Sequence, residues 1–161
     1  FALLPRLVER AGLNGRGSIT AFYSVLVEGD DTNEPISDTV RGLLDGHTVL
    51  SRRMAGRGHY PAVDLLNSIS RLMPDIVSRE QRDAATVVRE LIAVHHEHED
   101  LISIGAYRKG SHPLVDAAIL MKPEIDRFLR QAVEESATLE TAHQELLQLA
   151  ARCRQAIKTP G

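Results

Sequence analysis

"SITAFYSVLVEGDDTNEPISDTVRGLLDGHTVLSR", residues 18–52, is the stretch on which the fold turns. Its first part, "SITAFYSVLVEG" (18–29), is dense in β-branched and aromatic residues, has the length of a strand and is flanked by glycines, which predicts a buried strand. "NEPISDTVRGLLDG" (33–46) reads as a helix. Pro35 suits its first turn, where a backbone N–H has no intrahelical partner to lose, and Gly46 lies past its end. "HTVLSR" (47–52) is a second short strand. Strand, helix and strand of these lengths make a crossover unit, so the first half is expected to form part of a parallel sheet with helices against it. In such sheets ligands gather at the carboxyl ends of the strands.

Upstream, "FALLPRLVERAG" (1–12) carries the apolar stripe of a short helix at Leu3, Leu4, Leu7, Val8 and Ala11, with Gly12 as its stop. Downstream the pattern changes near residue 78. "SREQRDAATVVRELIAVHHEHEDLISIG" (78–105) opens on a capping box, Ser78 with Gln81, and predicts one long helix running to Gly105. "HPLVDAAILM" (112–121) and "PEIDRFLRQAVEE" (123–135) predict two shorter helices split at Pro123. A last helix, N-capped by Ser136, places Leu139, His143, Leu146, Ala150, Cys153 and Ile157 on one seam at alternating spacings of four and three. The expected fold class is α/β followed by all-α, a sheet fragment over residues 1–77 and a helical bundle over 78–161.

Composition narrows the function. With 19 basic and 22 acidic residues in 161, net charge -3, the chain offers no large cationic surface, so nucleic acid is not an expected partner. The single cysteine, Cys153, cannot form an intramolecular disulfide, in keeping with a reducing cytosol. Apolar runs are far short of the roughly 20 residues a membrane span needs. No export signal is visible at the start, and an opening Phe1 in place of methionine suggests a piece of something longer.

Local motifs give little chemistry. In "HHEHED" (95–100), His95, His98 and Glu99 fall at i, i+3 and i+4, a spacing that can converge on a transition metal. A solvated charged helix face explains the same residues. The order is not H-E-x-x-H and no other segment offers a further ligand, so no metal site is expected. Asp30, Asp31 and Glu34 in "VEGDDTNEP" (27–35) offer hard oxygens but no standard calcium spacing, and a turn rich in Asp and Asn needs no ion. No serine lies in a G-x-S-x-G context, and no G-x-x-x-x-G-K-[ST] loop is present to cradle phosphates. In "GHYPAVDLLNSISR" (58–71), Tyr60 reads equally as a half-buried core aromatic and Arg71 as a surface charge.

The order "GSITAFYSVLVEGDDTNEPISDTVRGLLDGHTVLSR" followed by "GHYPAVDLLNSISR" nevertheless resembles the C-terminal part of the flagellar export ATPases and the related virulence type III secretion ATPases. More distantly it is similar to the catalytic beta subunit of rotary ATP synthase. The likeness covers essentially the whole chain and is strongest over residues 17–73. It implies the C-terminal part of a RecA-like nucleotide-binding domain followed by a helical domain. It also implies a homohexameric ring with ATP and Mg²⁺ between neighbouring subunits. The phosphate loop, the magnesium ligands and the water-positioning base would all lie outside this stretch, which alone should be inactive.

On that resemblance Arg71, closing "SISR", is the finger that reaches the γ-phosphate of the neighbour's ATP. A planar, permanently charged guanidinium suits charge building on phosphoryl oxygens, and such fingers contribute roughly 10³ to 10⁵ in rate in GTPases. Tyr60 of "YPAV" would lie against the adenine of its own subunit's nucleotide. After "RFLRQ" (127–131) the synthase has an aromatic where this chain has Ala132 and Val133, implying a less aromatic base pocket. The synthase's acidic lever is replaced near "AYRKGSHP" (106–113) by a neutral to basic turn. Asp30 and Asp31 match the loop that faces the ring axis and so become candidates for contact with a central stalk protein. Export chaperones and substrates, a regulatory export subunit and a membrane export gate are the other implied partners. The implied location is cytoplasmic, peripheral at the inner face of the bacterial inner membrane. The competing expectation is a non-catalytic helical module that binds export chaperones or substrates.

Overall fold

The structure is a computed structural model that describes residues 3–27 and 35–159. Asp30 and Asp31 therefore lie outside the described residues. The chain divides into two compact units, Phe1–His47 and Thr48–Gly161.

In the first unit, α1 (Leu3–Val8) is followed by a hairpin of β1 (Gly12–Asn14) and β2 (Gly17–Ile19), antiparallel with Gly12 opposite Ile19. Asn14 Oδ1 accepts the Arg16 N–H at 2.9 Å across the turn. The strand expected over 18–29 is thus realised only at its start. Residues 20–27 adopt no regular element, and Phe22 and Leu26 are 95% and 93% exposed. An apolar run holds a strand only when a partner takes its N–H and C=O groups. Among the described residues β2 is spent on β1, and the expected crossover unit is not formed. Helix α2 (Pro35–Leu43) forms as expected, with Pro35 as its first residue.

β3 (Gly46–Leu50) leads into the second unit and pairs with β4 (Val63–Ser70), an element the sequence patterning had not indicated. β3 stops before the predicted end at residue 52 because the Ser51 side chain caps α3 (Arg52–Gly56), accepting from the Met54 N–H. β4 is not evenly extended. Asp64 Oδ1 accepts the N–H groups of Leu66 (3.1 Å) and Asn67 (3.2 Å), while Ser68 Oγ donates to the Asp64 carbonyl. After β4 come α4 (Met73–Ile76) and α5 (Arg79–Glu97). The capping box is complete: Ser78 Oγ accepts the Gln81 N–H at 3.2 Å and Gln81 Oε1 accepts the Ser78 N–H at 3.0 Å.

The single helix expected to reach Gly105 breaks at His98, and α6 (Glu99–Ser103) follows. The break leaves His98 Nδ1 2.9 Å from the Val94 carbonyl oxygen, a local side-chain bond that closes the end of α5. The two helices expected on either side of Pro123 are one, α7 (Pro113–Leu129). Proline removes one hydrogen bond from a helix of 17 residues, and buried side chains on both sides of it, Ala117, Ala118 and Ile125, hold the helix against its neighbours. The helix also ends at Leu129, earlier than the expected 135. Helix α8 (Leu139–Lys158) begins after Thr138, not Ser136, and Thr138 Oγ1 accepts the Thr141 N–H at 3.1 Å. Its seam is right from Leu146 onward, where Ala150 and Cys153 are fully buried, but Leu139 is exposed.

Helices α5, α7 and α8 pack on one another around Leu91, Ile125, Leu149 and Cys153. The architecture is α/β followed by all-α. Among the described residues no helix is long and apolar enough to cross a membrane.

Candidate functional site

In the second unit a cleft of about 790 Å³ lies between the turn before β4 and the C-terminal half of α7. Gly58 and Tyr60 line it from the turn before β4, Lys122, Asp126 and Arg127 from α7, and Arg130, Gln131, Ala132 and Glu135 from the segment that follows α7. Gly58 has φ 69°, a left-handed turn residue that starts the chain's reversal into the wall. Tyr60 keeps 57% of its surface exposed, so its ring is a flat face open to a ligand. It is not a core aromatic.

Two bonds tie this wall to the end of α7. The Gln131 N–H donates to the Tyr60 carbonyl at 2.9 Å, and Arg130 Nε donates to His59 Nδ1 at 3.3 Å. An arginine can only donate, so His59 Nδ1 is the acceptor and its proton resides on Nε2. His59 is buried, and burial, reinforced by the Arg130 guanidinium, holds its pKa below the usual 6.5. The end wall is equally ordered: Glu135 Oε2 accepts the Ala132 N–H at 3.1 Å and the Glu135 carbonyl accepts from Gln131 Nε2 at 3.2 Å. Lys122 pairs with Asp126 one helical turn on. Cations line the cleft three to two over carboxylates. An exposed aromatic face in a cleft that also holds a small Ala132 and an excess of cations can take a planar, polar ring with anionic substituents.

Arg71 does not line this cleft. It follows directly on β4, is exposed, and begins a tight loop in which Ser70 Oγ accepts the Met73 N–H at 3.2 Å. Two arginines of α5 hold the loop's flanks, neither of them singled out by the sequence. Arg89 donates to the carbonyls of Leu66 (2.9 Å) and Ser68 (3.3 Å), and Arg82 donates to that of Pro74 (2.8 Å). The one sequence signal for them was their seven-residue spacing on a helix.

The cluster His95, His98 and Glu99 does not converge. Glu99 is engaged by Arg57 at 2.8 Å and Arg53 at 3.6 Å, and the Arg57 hydrogen bond holds its carboxyl below the usual range. Burial lowers the His95 pKa. Among the described residues no three His, Cys, Asp or Glu side chains come together as a metal-ligand set. Burial raises the pKa of Cys153, which keeps its thiol protonated.

Two family models match the chain, and they meet near residue 70 and not at the boundary between the two compact units. Residues 1–70 match the ATP synthase alpha/beta family nucleotide-binding domain, and residues 77–148 match the C-terminal domain of the type III secretion ATPase EscN. The chain belongs to the flagellar and type III secretion ATPase family. It is 55% identical over 140 residues to the flagellum-specific ATP synthase of Bacillus subtilis, covering 87% of this chain and 32% of that protein. It is 52% identical over 149 residues to the SPI-2 type 3 secretion system ATPase of Salmonella typhimurium, covering 92% of this chain and 34% of that one. The assembled ATPase EscN of enteropathogenic E. coli, solved in complex with its central stalk EscO, superposes with a TM-score of 0.83 at 40% identity, over 93% of this chain and 35% of that chain. The chain therefore spans about a third of the length of the family members it matches.

Proposed function

We propose that this chain is the C-terminal portion of an ATPase that couples ATP hydrolysis to type III protein export, the flagellar system being the favoured one. The observation that carries the proposal is the pairing of an exposed Tyr60 on a cationic cleft with an exposed Arg71 outside it, joined by β4. Tyr60 stacks on the adenine of its own subunit's ATP, and the small Ala132 leaves the pocket less aromatic and base selectivity modest. Arg71 neutralises charge on the γ-phosphate bound by the neighbouring subunit as that phosphoryl group transfers, which lysine, lacking the planar fork, does poorly. Residues 1–77 serve the nucleotide-binding domain and 78–161 form a helical domain.

The ATP-bound assembly is a homohexamer, because one chain supplies both the adenine platform and the finger. Magnesium ligands and the phosphate loop are contributed from outside this stretch. Asp30 and Asp31 contact a central stalk protein, a role in keeping with the solved complex of EscN and its stalk. Chaperones, substrates and a regulatory export subunit are further partners. The ring works in the cytoplasm at the inner face of the inner membrane, against the export gate.

The test is complementation in mixed rings of the full-length protein. Arg71→Ala should lower ATP turnover by about 10³. Mixing Arg71→Ala subunits with subunits lacking a working phosphate loop should restore part of the activity, because some interfaces then pair an intact finger with an intact loop. Rings that stay inactive at every mixing ratio exclude action in trans, and full turnover by Arg71→Ala alone excludes the finger altogether. The second proposal, a non-catalytic helical module, predicts that last outcome.

A further inference from the structure

The loop that carries Arg71 is gripped by α5 on both sides. Upstream, Arg89 Nη2 donates to the Leu66 carbonyl at 2.9 Å, and both of its terminal nitrogens reach the Ser68 carbonyl at 3.3 and 3.4 Å. Downstream, Arg82 Nη1 donates to the Pro74 carbonyl at 2.8 Å. Ser68 stands three positions before Arg71, and Pro74 three positions after it. Seven residues separate Arg82 from Arg89, about 10.5 Å along the helix and within about 20° of the same face. The bundle core is met instead by Ala84, Val88 and Leu91. The acceptors are main-chain carbonyls, so the grip fixes backbone position whatever the side chains there, and a charged donor makes each bond stronger than a neutral one. Ser68 is further tied to β3, its Oγ accepting the Val49 N–H at 2.9 Å.

We propose that Arg82 and Arg89 are positioning residues for Arg71, a two-point clamp that makes the Arg71 loop move with α5. A displacement of the helical bundle then changes how far Arg71 reaches toward the neighbour's γ-phosphate, and the bundle gains a mechanical handle on hydrolysis. This rests on the finger role given to Arg71 above. Arg89 spans two carbonyls two residues apart along β4 with one planar fork, which a compact ammonium group does not reproduce.

The experiment is a double-mutant cycle in the full-length, ring-forming protein: Arg89→Ala, Arg71→Ala and both together, with hydrogen exchange of residues 66–74 recorded alongside kcat and KM. Arg89→Ala is expected to lower kcat about tenfold, ~1.4 kcal/mol of barrier, with KM for ATP nearly unchanged. Exchange in the loop should quicken, and in the Arg71→Ala background no further loss should appear. Arg89→Lys keeps the charge and the helix and should recover only part of the rate; it takes the place of Arg89→Ala in the cycle if the alanine variant misfolds. Losses that multiply independently, or an Arg89→Ala ring with wild-type turnover and exchange, overturn the clamp while leaving the finger in place. Wild-type turnover by Arg71→Ala alone removes the finger, and the clamp's catalytic role with it.

Discussion

Tyr60 illustrates how exposure separates two uses of one residue type. A core tyrosine is hidden; this one leaves more than half of its surface exposed and lines a cleft that Ala132 also lines. On the stacking role proposed for it, Tyr60→Ala in the full-length protein is expected to raise KM for ATP about tenfold, the order of one lost base–aromatic stack, with kcat changed much less. Steady-state turnover at varied ATP measures it. Beside it, His59 and, farther along α5, His95 both have folded-state pKa values pushed below 6.5, chiefly by burial. The unfolded chain takes up these protons first as pH falls, so stability is complete above 6.5 and declines below it, down to the folded pKa values. Urea midpoints at pH 7.5 and 5.5 should show that decline, and His59→Gln should flatten it. Cys153, fully buried with a raised pKa, should resist iodoacetamide in the native protein and react once the bundle is unfolded.

Elements were legible in the sequence to the extent that their signals were local. The Ser78–Gln81 box needs only four consecutive residues, and it formed as expected; Ser78→Ala should cost about 1 kcal/mol, read from chemical denaturation. Apolar periodicity also found the α8 seam, because a helix satisfies its own backbone and needs only a neighbour for one face. What failed depended on partners. "SITAFYSVLVEG" has strand composition, yet residues 20–27 find no ladder among the described residues, since a strand is completed by another chain segment. Pro123 was read as a boundary, but packing of Ala118 and Ile125 on either side outweighs one lost hydrogen bond. The site divided in the same way. Tyr60 and Arg71 came from resemblance, whereas His59, Arg130, Arg82 and Arg89 act through contacts across 8 to 71 residues, some of them with main-chain carbonyls, which no local motif encodes.

At the scale of the molecule, the buried core among the described residues belongs almost entirely to the second unit. Leu91, buried where α5 meets its partner helices, is expected to lose about 2–5 kcal/mol as Leu91→Ala, measurable as a lowered midpoint of unfolding. The first unit leaves Phe22 and Leu26 exposed. The spacing of Arg82 and Arg89 also sets a length. Each residue inserted between them would turn one guanidinium by about 100° away from the other, so the clamp is sensitive to a change of length in that stretch of α5. Between the two arginines the exposed Asp83 and Thr86 can change with little consequence, the buried Ala84 and Val88 cannot, and the number of positions is held by the clamp itself, a ruler written in helical turns.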